Sequence, residues 1–338
     1  MKRLHLLKLT HHFHTLGDAF YREHQPQGLR EPQLVCSNPA VALQLGLDPA
    51  EFDTDYFLQI FSGNALLPGS RPLAQAYAGH QFGNFNPFLG DGRAVLLGEV
   101  ETPTGLLDIC LKGAGRTPYA RNADGRAGLD ECLHEYATSE RLAQLGVPTA
   151  RCLCVIKGRG LVYRQGFGSE AMLTRIAPSH VRFGSFENFY YQRNTTALQA
   201  LADHVLRWHF PECADGGETK YVALFREVVL RTARLMAHWQ AVGFVHGVMN
   251  TDNQSILGLT LDVGLGGFTP ERDPDCVINP ADEKGRYAFG QQPLVGLWNC
   301  NVLARALSPL IAAAELRAAL QTYEPEYLRH YAALTNNS

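Results

Sequence analysis

Lys112 ends an apolar run, Leu106 to Lys112, and Glu135 lies inside a stretch whose residues Leu129, Cys132, Leu133, Tyr136 and Ala137 recur at helical spacing. A strand that ends in lysine and is followed by a helix carrying glutamate restricts the fold more than any other feature of the chain. A second apolar run, Arg93 to Val100, precedes the lysine strand, and Glu101 to Gly105 separates the two, which predicts a β-hairpin. The helical stretch closes at Gly146 and Pro148. Arg151 to Ile156 and Gly160 to Tyr163 read as a further strand pair. From Thr196 onward the period is helical, with one stripe through Leu198, Leu201, Ala202, Val205 and Leu206 and another through Val222, Phe225, Val229, Ala233, Met236 and Ala237. The class is α+β: a small β-rich lobe with one key helix, then a larger α-rich lobe.

With 338 residues, 46% of them hydrophobic and 19% charged, the chain can bury two sizeable lobes. Thirty Lys and Arg against thirty-three Asp and Glu leave a net charge of −3, which argues against nucleic acid as a partner. The N-terminal MKRLHLLKLTHHFH is broken by charge and His before it resembles a secretory core. Apolar runs such as Ala94 to Leu97 and Leu310 to Ala314 are too short to cross a bilayer. No membrane partner and a cytoplasmic location are expected. The eight cysteines are scattered apart from the C-x-C pair Cys152 and Cys154, so reduced thiols are expected. His11, His12 and His14 read as a packed or exposed helix face in preference to a metal site, and no chemistry is expected in that region. Residues 1–70 read as an N-terminal extension with turn signals at Gly28, Pro32 and Pro49 and a short helix near Ala40 to Leu45.

Three groups of residues carry chemistry. Gly79, Gly83, Gly90 and Gly92 stand in GHQFGNFNPFLGDGR before the first strand, where glycine lets backbone amides approach an anion; Gly-Asp-Gly is equally an ordinary hairpin turn. The Lys112 and Glu135 pair matches the arrangement by which kinase-like folds hold a nucleotide's phosphates. Val245 to Asn253, an expected short strand Ile256 to Leu261, and Asp262 present hard oxygen ligands suited to Mg²⁺ or Mn²⁺, the alternative being Asx turns without metal. Laid over H-R-D-x-x-x-x-N, His246 and Asn253 fall in place, while Val248 stands where the catalytic Asp belongs. Asp252 is the remaining carboxylate of the loop and a candidate base.

Across Pro72 to Ile311 the chain resembles the selenoprotein O family (SelO, YdiU), through GHQFG, LGDGRAVLLGE, LKGAGRTPYAR, DGRAGLDECLHEY, APSHVRFGSFE, GFVHGVMNTDNQSILGLTLDVG, GRYAF and QQPLVGLWN. The resemblance implies a protein-kinase-like bilobal pseudokinase fold, with 71–166 as its N-lobe and 167–338 as its C-lobe. It implies ATP bound in reversed orientation and transfer of AMP to Ser, Thr or Tyr hydroxyls of proteins. It further implies nucleotide contacts from Gly90, Gly92, Arg93, Lys112, Asp124, Gly125, Arg175, Arg182 and Asp262, metal ligation by Asn253 and Asp262, Asp252 as base, and a structural ion pair of Glu135 with Lys112. The chain departs from the family pattern at VGLGGF after Asp262, where members usually read YGPFGF, and at His134, where many have Arg. The resemblance also implies that the family's C-terminal region, with its terminal Cys or selenocysteine, is not represented in these residues. Mn²⁺-dependent UMP transfer, a catalytically inactive nucleotide-binding scaffold and, third, a conventional protein kinase are the competing functions.

Overall fold

The computed structural model describes residues 1–164, 166–214 and 219–336, and the chain divides into two compact units. The first comprises Met1–Ala76, Phe88–Glu140 and Ala150–His180, and the second Tyr77–Pro87, Arg141–Thr149 and Val181–Ser338. An antiparallel sheet in the first and a helical second unit are the composition of a kinase-like bilobal fold.

Seven strands of the first unit's eight-stranded sheet run in the order Tyr21–Glu23, Leu73–Gln75, Ala94–Thr102, Gly105–Lys112, Phe167–Ala177, Arg151–Tyr163 and Gln33–Ser37, and Ala127–Gly128 also pairs with Phe167–Ala177. The expected hairpin and the helix Leu129–Gln144 are present. Alternation along the strands gives the sheet two apolar faces. One packs Val95, Leu97, Ile109, Leu111, Ile156 and Met172 against Leu4, Val41, Phe57, Ile60 and Phe61 from the first seventy residues. Phe57, Ile60 and Phe61 are fully buried there, each contributing about 1.5–3 kcal/mol. The other face, with Cys152, Val155, Ala171 and Leu173, lies under Cys132 of the helix, with Leu129, Leu133 and Tyr136 packed at its margin.

The strand pair expected within 151–163 is instead one continuous strand, and its partner is Phe167–Ala177. Gly158 and Gly160 imitate a turn in the sequence, yet their role is close approach. A Cβ on Gly160 would stand 2.4 Å from Glu170 Oε1, which accepts a hydrogen bond from the Gly160 amide at 3.1 Å.

Glu99 and Asp108 face each other in the hairpin register and are both buried. Glu99 accepts the amides of His12 (2.7 Å) and Phe13 (2.8 Å), tying down the N-terminal segment. Asp108 accepts the His180 amide (2.9 Å) and lies 2.8 Å from its Nδ1. Burial and the Asp108 charge push Glu99 up to about 7, while burial and the charge of Asp91 push Asp108 up to about 8 against the pull of the His180 amide.

The second unit contains helices Phe183–Tyr191, Thr195–His209, Lys220–Val242, Gln292–Leu307, Ala313–Leu320 and Tyr323–Thr335, the first of which packs against the loop that follows strand Phe244–Val245. Gly243 closes the Lys220–Val242 helix in the left-handed conformation at φ 71°. The strand expected over Ile256 to Leu261 is a buried turn through Gly258 (φ 67°), fixed by isolated bridges Gln254↔Thr260 and Arg182↔Ser255. Its apolar residues pack inside a helical unit, so full burial here does not signify a sheet. Among the described residues no helix is long and apolar enough to cross a membrane.

Two measurements test this account. Gly160→Ala displaces the Glu170 carboxylate and should lower unfolding free energy by about 1–3 kcal/mol in a denaturant titration. Glu99 and Asp108 bind protons more tightly folded than unfolded, so their contribution is complete below the ordinary carboxylate range and is lost as pH rises to between about 7 and about 8. The unfolding free energy should therefore fall from pH 5.5 to pH 8.5, by about 1.4 kcal/mol per pH unit for each proton retained, and Glu99→Gln should flatten the slope.

Candidate functional site

The chemistry-bearing residues form two clusters, one in each unit. In the first, the register of Gly105–Lys112 against Phe167–Ala177 puts Lys112 opposite Leu173 and Cys110 opposite Arg175, so Lys112 and Arg175 share one face of the sheet. The helix lies over that face. Glu135 Oε2 accepts from Lys112 Nζ, and its Oε1 accepts from Arg175 through Nη2 and, at 3.1 Å, through Nε. All three side chains are buried. The expected Lys112 and Glu135 pair is thus formed, and Arg175 joins it.

Glu131, one helical turn before Glu135, lies 3.4 Å from Lys112 Nζ and takes a bidentate pair from Arg93 at 3.0 and 2.6 Å. Burial would push the Glu131 carboxyl up, but the charges of Lys112 and Arg93 overcome it and hold the group down to about 2. The sequence reading omitted Glu131, although its i,i+4 spacing from Glu135 places both on the same face of the helix.

Gly90 and Gly92 pack against the segment that follows the lysine strand. A Cβ on Gly90 (φ 126°) would meet the Tyr119 ring at 2.5 Å, and Thr117 Oγ1 donates to the Asp91 carbonyl at 2.6 Å. Gly125 (φ 72°) accepts the Gly115 amide at 3.0 Å, and a Cβ there would lie 2.1 Å from Gly115 backbone atoms. Asp124 beside it is exposed and paired with Arg164 at 2.8 Å, and that hydrogen bond holds its carboxyl below the ordinary range.

The second cluster is the loop Val245 to Asp262. His246 accepts the Val248 amide at Nδ1 (3.3 Å) and donates from Nε2 to the Leu261 carbonyl (2.8 Å), so one imidazole fixes both ends of the loop. Asp262, the next residue, holds the left-handed conformation (φ 55°). Asn250 Oδ1 accepts from the Phe82 amide (3.1 Å) and from Tyr287 Oη (2.6 Å), and Thr251 Oγ1 accepts from the His80 amide (2.7 Å). The hairpin Gly79–Gln81 with Asn84–Asn86 is thereby bonded to the loop. None of Gln81, Asn250 or Tyr287 was singled out from the sequence. Polar residues that fix a loop backbone carry no periodic signal.

Asp252 sits in a 3₁₀ turn, Thr251–Asn253, and is buried. Its Oδ2 accepts from Gln81 Nε2 at 3.3 Å, and its Oδ1 makes no hydrogen bond among the described residues. Burial pushes the carboxyl up and the Arg182 charge pulls it back, leaving it at about 6. Arg182 Nη1 donates to the Asp252 carbonyl (2.7 Å) and to Asp262 Oδ2 (2.6 Å), and its guanidinium lies 4.8 Å from the Tyr77 ring centre. Asn253 Nδ2 donates to the Val248 carbonyl at 3.0 Å, which leaves its oxygen as the acceptor. Asp252, Asn253, Asp262 and Arg182 are therefore gathered in one cluster, and Lys112, Glu135, Arg175 and Arg93 in the other.

Glu135→Ala would remove the carboxylate that two buried cations share. It should cost about 3–5 kcal/mol in unfolding free energy, whereas Arg93→Ala, at the exposed margin of the same network, should cost under about 1 kcal/mol.

The family model described as protein adenylyltransferase SelO matches residues 3–338. Proteins named protein nucleotidyltransferase YdiU align over 332 residues, 98% of this chain and 68% of each relative: one from Pseudomonas putida (strain W619) at 47% identity, one from Myxococcus xanthus (strain DK1622) at 48%, and one from Pseudomonas paraeruginosa (strain DSM 24068 / PA7) at 48%. Matched over almost its whole length, the chain belongs to the SelO family of protein nucleotidyltransferases.

Proposed function

We propose that this protein transfers AMP from ATP to Ser, Thr or Tyr hydroxyls of protein substrates, with the nucleotide reversed relative to its orientation in protein kinases. The observation that carries the reading is Asp252: a buried carboxylate with an uncommitted oxygen, four residues from the Val248 position where a kinase carries its base. In the reaction the acceptor oxygen attacks the α-phosphorus, the bond to the bridging oxygen breaks, pyrophosphate leaves, and Asp252 takes the hydroxyl proton.

Lys112, Arg93, Arg175 and Arg182 offset the triphosphate, with Glu135 holding Lys112 extended and in place. Gly90, Gly92, Asp124 and Gly125 belong to the proposed nucleotide contacts. Asn253 and Asp262 would hold Mg²⁺ or Mn²⁺: both offer hard oxygens, and Asn253 presents its oxygen because its nitrogen is engaged. Among the described residues no three His, Cys, Asp or Glu side chains gather as a ready cluster, so phosphate and water oxygens would complete the shell. When bound, such an ion stabilises negative charge on the phosphates. A cytoplasmic setting suits ATP as substrate.

Incubation with α-labelled ATP should label protein, and γ-labelled ATP should not; label from the γ position alone would overturn the proposal. Parallel α-labelled UTP resolves the alternative of UMP transfer, and absence of label from either nucleotide would favour an inactive nucleotide-binding scaffold. Asp252→Asn should lower transfer by roughly 10²–10⁴-fold. Ionising Asp252 opposes folding because its carboxyl is raised to about 6, so this variant's thermal midpoint at pH 8 should hold or rise.

A further inference from the structure

The second unit carries a groove of about 740 Å³ whose lining includes Phe82, Lys284, Arg286, Leu294 and Trp298. It begins beside the candidate base. Gln81 reaches Asp252 Oδ2, and the next residue, Phe82, is a wall of the groove; the Phe82 amide bonds Asn250, two residues before Asp252. Tyr287, whose ring lies 5.2 Å from that of Phe82, bonds the same Asn250 oxygen, and the next residue back, Arg286, lines the groove. The groove is therefore built onto the loop that holds the base.

Its chemistry is mixed. Leu294 is 64% exposed and Phe82 37% exposed, so the lining offers apolar contact. Arg286 lies 4.5 Å from the Trp298 ring centre, its Nε is buried without a hydrogen-bond partner, and among the described residues neither Arg286 nor Lys284 forms a salt bridge to a carboxylate. A guanidinium stacked on an aromatic and left without a counter-charge is a site for an anion. Asp275 is the one carboxylate of the lining, against two cations. The occupant that fits is extended polypeptide with an acidic side chain for Arg286 and Lys284 and an apolar side chain for Phe82 and Leu294.

We infer that this groove docks the protein substrate, selecting acceptor hydroxyls that lie close in sequence to an acidic and an apolar residue. The inference rests on the proposed transfer reaction for its purpose, but not for its recognition chemistry, so the two can be tested apart. The probes are two fluorescent twelve-residue peptides with a single Thr and a Leu, identical except that the residues flanking them are Glu in one and Lys in the other.

Binding is read by anisotropy and transfer by mass spectrometry, with the whole chain, Lys284→Glu, Leu294→Glu and Arg286→Glu. Lys284 and Leu294 are exposed, so those variants stay informative should Arg286→Glu fold poorly. The Glu peptide should bind the unaltered chain at least roughly tenfold tighter than the Lys peptide. Lys284→Glu should erase or reverse that preference, Leu294→Glu should weaken both peptides, and ATP binding should be unchanged. In transfer assays the loss should appear in KM for peptide with kcat retained. Equal binding of both peptides, or a preference that survives Lys284→Glu and Arg286→Glu, overturns the inference. Charge-selective binding without nucleotide transfer upholds the groove and rejects the proposed reaction instead.

Discussion

A carboxylate shared by two cations, Glu135 between Lys112 and Arg175, is the contact on which the first unit's chemistry depends. It joins a helix to two neighbouring strands through side chains that have almost no access to water. Desolvating three charges is expensive, and such a triad adds little net stability compared with apolar packing. What it imposes is register. A slip of one residue in either strand would turn Lys112 or Arg175 to the opposite apolar face, leaving Glu135 buried without its partners. The Glu131 and Arg93 pair extends the network to the solvent edge, where charge is cheaper to hold, so the lysine is braced from two directions on one helix.

The second unit fixes its site by another means. There the loop has little regular structure, and side chains bond its backbone directly: His246 to Leu261, Asn253 to Val248, and Asn299 to the Met249 carbonyl at 3.0 Å. Each bond satisfies a polar backbone group that burial would otherwise leave costly. The left-handed Asp262 follows immediately after the carbonyl that His246 holds. The strain of that conformation is borne by the imidazole and by the Arg182 ion pair.

What could be read in advance follows from these two modes of construction. The hairpin and the Lys112 and Glu135 pairing were legible because strand and helix periodicities repeat over many residues and the paired groups lie on adjacent elements. Phe167–Ala177 was not recognised as a strand, since small and polar residues follow its opening Phe167 and the preceding Lys-Gly-Arg-Gly resembles a hairpin turn. Close approach of Glu170 demands those glycines for a different reason. Ile256 to Leu261 was misread in the opposite direction: a mostly apolar run is the pattern of a buried strand, but here it is a turn within a helical unit, and Trp239 Nε1 donates to Thr260 Oγ1 at 3.0 Å. Asp252 was found because His246 and Asn253 keep a known spacing. Gln81 and Tyr287, distant in sequence and aperiodic, had no such frame.

A carboxylate at Asp252, with valine at the Val248 position, has a geometric consequence for the proposed reaction. Asp252 and Asn253 are consecutive in a 3₁₀ turn, where successive side chains diverge by about 120°. Asp252 meets Gln81 of the hairpin, and Asn253 turns back to Val248. Adjacent residues thus address different neighbours, one toward the segment that leads into the Phe82 groove and one toward the interior of the loop. A base at the Val248 position would sit where the loop's own backbone is tied by His246 and Asn253. The Asp252 carboxylate stands next to the hairpin instead, so under the proposed reaction the acceptor hydroxyl would approach from the hairpin side, and the shape and charge of that side would help determine which hydroxyl reacts.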